Sequence, residues 1–202
     1  MGLTIHYRLR STVPDAEQAR DVVGRLRKRA LDLPFESVGD IVELTGDDCG
    51  IQRLDEACPY RWLLIQAQPL VTDPLESARH YHIIPLHVIA FSCWPGPGCE
   101  QANFGLGRYP EVIEVGGQDN RARRRIETRL HDWSWASFCK TEYARNRECG
   151  GAGNFRRCHW AIIDILQHAQ TLGILHEVHD EAGYWESRQV LAQALGLACA
   201  SA

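Results

Sequence analysis

Lysine is almost missing from this chain: among 22 basic residues only Lys28 and Lys140 are Lys, a bias read as the composition of the source rather than as an activity. Any long apolar run is missing too. The longest nearly unbroken one, IIPLHVIAF over residues 83–91, falls far short of the roughly 20 residues that span a bilayer, so no membrane partner is expected. The opening MGLTIHYRLR has no basic segment followed by an apolar one, and His6 stands where a myristoylation signal wants a hydroxyl. A cytoplasmic protein is expected. Positive charge is not in excess, since the formal net charge is -4, which removes any general attraction to nucleic acid. Close cysteine pairs of the C-x2-C kind are absent, and so is any complete catalytic signature.

What is present is enough for one core. At 202 residues, 45% hydrophobic and 24% charged, residues 1–202 read as a single globular domain. Eight cysteines in a cytosolic chain read as reduced thiols or metal ligands rather than as a disulfide framework.

LTIHYRLR alternates as a half-buried strand, with Leu3, Ile5, Tyr7 and Leu9 on one face. Pro14 opens a helix in which Ala16, Ala19, Val23, Leu26, Ala30 and Leu33 recur at helical spacing, and Pro34 ends it. Strands are predicted over 37–44, 61–68 and 82–92, and a long Gly/Pro-rich loop over 95–117. Extended structure resumes in RIETRLHDWSWASFCKTEYA. Asn154 is placed to cap a helix that carries Phe155, Cys158, Ile162, Ile165, Leu166 and Ala169 on one stripe and stops at Gly173. A short strand, ILHEVHD, then leads to a last helix over about 186–197. Long helices at either end of a run of strands, without a βα repeat, predict an α+β fold: an antiparallel or mixed sheet with two long helices on one face.

HYHIIPLHVIAFSCWPGPGC invites a metal reading through His80, His82, His87, Cys93 and Cys99. Alternation puts His80 and His82 on one face of a strand and His87 on the other. His87 and Cys93 share a face, but six extended residues separate them by about 20 Å. No four ligands have compatible spacing, so no metal and no cofactor are expected; His80, His82, Cys93 and Cys99 remain the candidates for a zinc-binding alternative. The stretch reads instead as a strand that leaves the core through a stiff loop.

SFCK, Ser137 to Lys140, matches the S-x-x-K pattern, but in a strand Ser137 and Lys140 face opposite ways. Cys139 is a candidate nucleophile with His159 as its base, weighed against the habitual burial of free cysteine. HEVHDE fails the H-E-x-x-H spacing, since His176 and His179 are three apart. Arg121 to Arg125 read as a solvated run.

CEQANFGLGRYP (99–110), WSWASFCKTEYA (133–144) and DEAGYWESR (180–188) mix aromatic, small and polar residues without core periodicity. Such mixtures suit the walls of a pocket, and they equally suit aromatics that pin loops to a core by their polar tips. In the wording ANFGLGRYP and SFCKTEYA the chain resembles a family of bacterial hypothetical proteins of unknown function, over most of its length. The resemblance implies no activity, cofactor or catalytic residue. It departs at Gly107, where a Cys is expected, which speaks against thiol chemistry in that loop.

The expected function is binding of a small molecule or a protein partner at an aromatic and polar pocket lined by Asn103, Arg108, Tyr109, Trp133, Trp135, Tyr184 and Trp185. The alternative is a hydrolase or transferase that uses Cys139 or the Asp180 and Glu181 carboxylates, with Arg108 or Lys140 holding an anion.

Overall fold

In the computed structural model, which describes residues 3–51, 58–116 and 123–188, the first strand, β1 (Thr4–Ser11), turns Ile5, Tyr7 and Leu9 into the core and Arg8 and Arg10 outward. Helix α1 (Ala16–Leu31) follows Pro14 and buries Ala19, Val23, Leu26 and Ala30. Asp15 is its N-cap, accepting the Gln18 N–H at 2.9 Å, which satisfies one of the donors that a helix start leaves open.

The strand predicted over 37–44 is two short ones, β2 (Ser37–Val38) and β3 (Val42–Thr45). Arg27 of α1 separates them. Its Nε donates to the Gly39 carbonyl at 2.7 Å and its Nη2 pairs with Asp40 at 2.7 Å, holding the segment between the strands against the helix. The strand predicted over 61–68 is instead helix α2 (Arg61–Gln66). A short apolar run such as WLLI fits either period, and here Leu63 and Leu64 are buried while Trp62 and Ile65 are exposed.

Next come β4 (Leu70–Thr72), β5 (His80–His82) and β6 (His87–Trp94). The strand predicted over 82–92 is thus broken before His87, in the stretch that holds Pro85. The long loop predicted over 95–117 is also corrected. Among its described residues, 95–101, 109–111 and 116 lie outside strands, and the others form β7 (Ala102–Arg108) and β8 (Val112–Val115). Glycines disguise β7, and packing explains them. A Cβ on Gly105 would overlap Ala90 of β6 and sit 2.6 Å from the Ile89 carbonyl, and one on Gly107 would meet the Tyr109 ring at 2.9–3.1 Å.

β9 (Arg124–Glu127), β10 (Trp133–Lys140), helix α3 (Gly151–Thr171) and β11 (Leu175–Asp180) complete the described elements. α3 starts before Asn154, with Gly150 as N-cap at φ 101°. Asn154 lies in the first turn and its amide donates to the Pro97 carbonyl at 2.9 Å. Residues 184–188 are helical; the remainder of the helix predicted over 186–197 lies outside the described residues.

The fold is α+β. Seven strands form one sheet in the order β11-β1-β10-β7-β6-β2, with β3 also paired to β6, and β4-β5 and β8-β9 form two further two-stranded sheets. Every strand pairing among the described residues is antiparallel. α1 packs on β6, β7 and α3, and α3 packs on β11. No helix among the described residues is long and apolar enough to cross a membrane.

β10 and β7 pair only at Trp133 with Arg108 and at Ser134 with Gly107. Beyond that the ladder stops, and side chains bridge the opening. The Tyr7 hydroxyl and the Trp135 indole N–H both donate to the Asn103 carbonyl, at 2.8 and 2.9 Å. From α2, the Gln66 side-chain oxygen accepts from the Asn103 amide at 2.6 Å and from the Ser137 hydroxyl at 2.7 Å.

Two glycines test this packing. Gly105→Ala is expected to cost about 1–3 kcal/mol by overfilling a buried strand contact. Gly24→Ala, inside α1 with nothing within 4 Å of an added Cβ, is expected to gain about 0.5–1 kcal/mol. Denaturant unfolding of the two variants beside the parent reads both; a neutral Gly105→Ala would mean that β6 and β7 are not so closely apposed.

Candidate functional site

A cleft of ≈ 960 Å³ lies over the outward side of β1 and β10. Arg8, Arg10, Ser134 and Ala136 come from those strands and His176 from β11. Residues 69–74 and Ser77, in and around the β4-β5 hairpin, form one wall, and residues 125–131 form the other. Tyr109 and Trp135 are also among the lining residues, although the Trp135 ring belongs to the core face of β10. Both rings have their polar tips tied to backbone: the Tyr109 hydroxyl donates to the Ala67 carbonyl at 2.8 Å, and Trp135 donates to Asn103.

Arginine outnumbers carboxylate in the cleft: Arg8, Arg10, Arg125 and Arg129 line it, against Asp73 and Glu127. Asp73 is fully engaged: it accepts the Leu75 and Glu76 N–H groups and the Tyr81 hydroxyl, and Arg124 pairs with it. Burial raises the Asp73 carboxyl, but these hydrogen bonds and the Arg124 charge bring it below its ordinary value. Arg8 is held by Glu177 at 3.4 Å and Arg10 by Asp132 at 2.8 Å. The loop that supplies Arg129 is unusual in backbone, with Arg129 at φ 57° and Asp132 at φ 59°. Non-glycine residues in the left-handed region carry a steric cost and cluster where function demands a fixed shape. Thr128 anchors this loop, its hydroxyl donating to the Pro110 carbonyl at 2.7 Å.

Of the residues expected to line a pocket, Tyr109 and Trp135 therefore share the cleft. Asn103 is fully buried in the bridge between β7 and β10, its side-chain oxygen accepting from Ser92 at 2.5 Å. Trp133 is buried edge-on against His87, ring centres 5.1 Å apart. His87 in turn is 2.8 Å from Glu43, which Arg20 also holds. Arg108 is exposed at the end of β7, opposite His87. Tyr184 packs on Phe155, His159 and Trp160 of α3, and Trp185 is in the core. The three aromatic segments thus do not meet on one surface; parts of two of them do.

The catalytic candidates are engaged elsewhere. Cys139 is fully buried, donates to the Glu100 carbonyl at 3.4 Å, and has its thiol pushed up, first by burial and then by Glu100. A thiol so held is a poor nucleophile. Lys140, on the other face of β10 from Ser137, pairs with Glu142 at 3.3 Å and sits over the Tyr143 ring. Glu181 accepts the Thr4 N–H at 3.0 Å.

His159 and Asp180 do form a buried unit. His159 Nε2 is 3.1 Å from the Asp180 carboxylate and its Nδ1 is 3.0 Å from the Thr141 hydroxyl, which also reaches the Leu3 carbonyl at 3.2 Å. Asp180 accepts three further N–H groups, from Ala182, Tyr184 and Trp185. The order Thr, His, Asp resembles a hydrolytic triad, yet Thr141 and His159 are 0% exposed and neither lines the cleft. The unit joins α3, the end of β10, β11 and the start of the chain. It is a fastening.

The metal candidates are dispersed. His80 and His82 are exposed on β5, with His80 Nδ1 3.1 Å from the Thr72 hydroxyl, while Cys93 is buried on β6. Among the described residues no group of three or more His, Cys, Asp or Glu side chains could hold an ion. Sequence reasoning missed the arginines of the cleft: Arg8 and Arg10 lie on β1, Arg125 on β9 and Arg129 in the loop after it, and the run that holds Arg125 reads as solvated. Comparison of the chain with family models, with curated proteins and with solved structures finds no match in any of the three.

Proposed function

We propose that the protein binds a small anionic molecule in the cleft between the β4-β5 hairpin and residues 125–131. The observation that carries this reading is the convergence of Arg8, Arg10, Arg125 and Arg129 on one concavity that Leu70, Val71 and Tyr109 also line. Guanidinium groups offer paired donors suited to carboxylate or phosphate, and apolar wall area binds the body of the ligand. The reading takes α1 and α3 to cover the opposite face of the large sheet, which leaves the outward side of β1 and β10 for the ligand. It keeps the expected binding function and moves its centre from Tyr184 and Trp185 to the arginines.

Arg129 supplies the test. Its φ of 57° costs an L-residue roughly 1–2 kcal/mol, which glycine does not incur, at some entropic cost of its own. Arg129→Gly is therefore expected to melt higher than the parent, by up to about 1 kcal/mol in stability, and to lose binding. A thermal-shift panel of phosphates, sugar phosphates and di- and tricarboxylates is expected to find an anion that stabilises the parent and acts at least about tenfold more weakly on the variant, equivalent to roughly 1.4 kcal/mol. If every such anion leaves the parent unshifted, or shifts both proteins alike, the proposal fails.

A further inference from the structure

Two short hairpins flank the cleft, and each turns a bare strand edge toward it. Among the described residues β4 is joined only to β5, and β9 only to β8. Residues of β4 and β9 line the cleft and none of β5 or β8 does, so it lies on the side of each strand away from its partner. Leu70, Val71 and Thr72 line it in succession, as do Arg125, Ile126 and Glu127. A strand that presents a face lends every second residue, whereas one that presents its edge lends them all.

The two registers fix which backbone groups those edges carry. The Asp73 N–H bonds the Arg79 carbonyl at 2.9 Å and the Ile83 N–H bonds the Pro69 carbonyl at 3.0 Å. Bonded and non-bonded pairs alternate in an antiparallel ladder, so Leu70 and Thr72 point their N–H and C=O groups away from β5. On β9 the Thr128 N–H bonds the Glu111 carbonyl at 2.8 Å, and by the same alternation Arg125 and Glu127 point theirs away from β8. None of these four residues has a backbone hydrogen bond to another element among the described residues. Arg124 fastens the hairpins to each other, pairing with Asp73 beside β4 and lying 3.4 Å from Glu76.

We propose that the anion bound in this cleft is a carboxylate side chain of an extended peptide, which adds as a strand to the free edge of β9; the inference rests on the anion reading above. Main-chain hydrogen bonds to Arg125 and Glu127 supply affinity in such an addition, and side chains supply choice. Charge favours an acidic peptide. Arg8 is shared with Glu177 and Arg10 with Asp132, while Arg125 and Arg129 have no ion pair among the described residues. An acidic residue opposite Arg125 makes a favourable cross-strand pair, and an uncharged one suits the place opposite Glu127. β9 is the better edge, because Pro74 has no N–H with which to continue that of β4.

The probe is the capped pentapeptide Ac-Thr-Val-Glu-Val-Thr-NH2, with Ac-Glu-NH2 as the same carboxylate without a strand, each titrated into the full chain by calorimetry. The pentapeptide is expected to bind at least about tenfold more tightly than Ac-Glu-NH2, and to weaken at least about tenfold when lysine replaces its glutamate. Methylating the amide nitrogen of the glutamate, whose N–H would bond the Arg125 carbonyl, is expected to cost about tenfold. Methylating that of the next valine, whose N–H would point away from β9, is expected to cost far less. In the protein, Glu127→Pro removes an N–H that β8 does not use, and is expected to stay folded by circular dichroism. Beside Glu127→Thr, which lacks the same charge, it is expected to hold the pentapeptide about tenfold more weakly. A pentapeptide no tighter than Ac-Glu-NH2, a lysine form that binds equally, or two N-methyl forms that behave alike would each overturn the proposal, and would do so even where a simple anion stabilises the protein and the anion reading stands. Silence of every simple anion and every peptide would overturn both. A second copy of the chain seated on this edge, detected by sedimentation and released by Glu127→Pro, would also overturn it.

Discussion

Asp180→Ala is expected to cost about 3–5 kcal/mol, the range for leaving one partner of a buried charged or hydrogen-bonded pair alone. The substitution strands His159 Nε2 and releases the N–H groups of Ala182, Tyr184 and Trp185 at once. Thr141→Val removes only one contact of the same unit and is expected to cost far less, about 1 kcal/mol. Acid titration gives a second reading. Burial pushes the Asp180 carboxyl up, but the His159 hydrogen bond, its charge and the backbone N–H groups outweigh it and leave the carboxyl below its ordinary value. The unfolded chain then binds the proton more readily than the folded one, so this contribution is present above about pH 4 and is lost as pH falls toward the folded value. Asp180→Asn is expected to flatten that part of the stability curve. Denaturant midpoints measured from pH 6 down to pH 3 check it, and parallel curves for parent and variant would show that the carboxylate is not held as described.

Trp135→Ala is expected to cost a further order of the same size, about 3–5 kcal/mol, because the indole is 2% exposed and fills the opening between β7 and β10. Trp135→Phe separates packing from hydrogen bonding. The Asn103 carbonyl would lose the indole N–H but keep the Tyr7 hydroxyl, so about 1 kcal/mol is expected for the missing bond. Adding Tyr7→Phe leaves that carbonyl without either donor, and the double variant is expected to lose more than the sum of the singles by about 1 kcal/mol. Additive losses would mean that the two donors do not share one acceptor. These variants also decide between two readings of the aromatics. Trp135 and Tyr109 serve packing with most of their surface, and the cleft receives only what is left.

Periodic segments were legible from the sequence. β1, β10 and the buried stripes of α1 and α3 follow directly from spacing, because each element presents one face to the core and is long enough to establish its period. α2 was not, since six residues hold less than two helical turns and four adjacent apolar side chains favour no period. β7 was hidden by its own glycines, which suggest a loop until Ala90 and Tyr109 are placed against Gly105 and Gly107. The candidate site was less legible still. Tyr109 and Trp135 stood out as aromatics in polar surroundings, but the arginines of the cleft come from β1, from β9 and from the loop after β9, which meet only in the folded chain. His159 with Asp180 is a pairing that exists only after distant segments pack, and no spacing rule reaches across it.

The pairing of β1 has a consequence for synthesis. As the chain leaves the ribosome, β2, β3, β6 and β7 find their partners among one another, all within residues 37–108. β1 emerges before any of them, but its two partners come last: Thr4 pairs with Lys140, and Ile5 with both Cys139 and Asp180. Through most of translation an alternating strand with three large apolar residues has both edges unpaired, the condition in which nascent chains are most exposed to association with one another and to capture by chaperones.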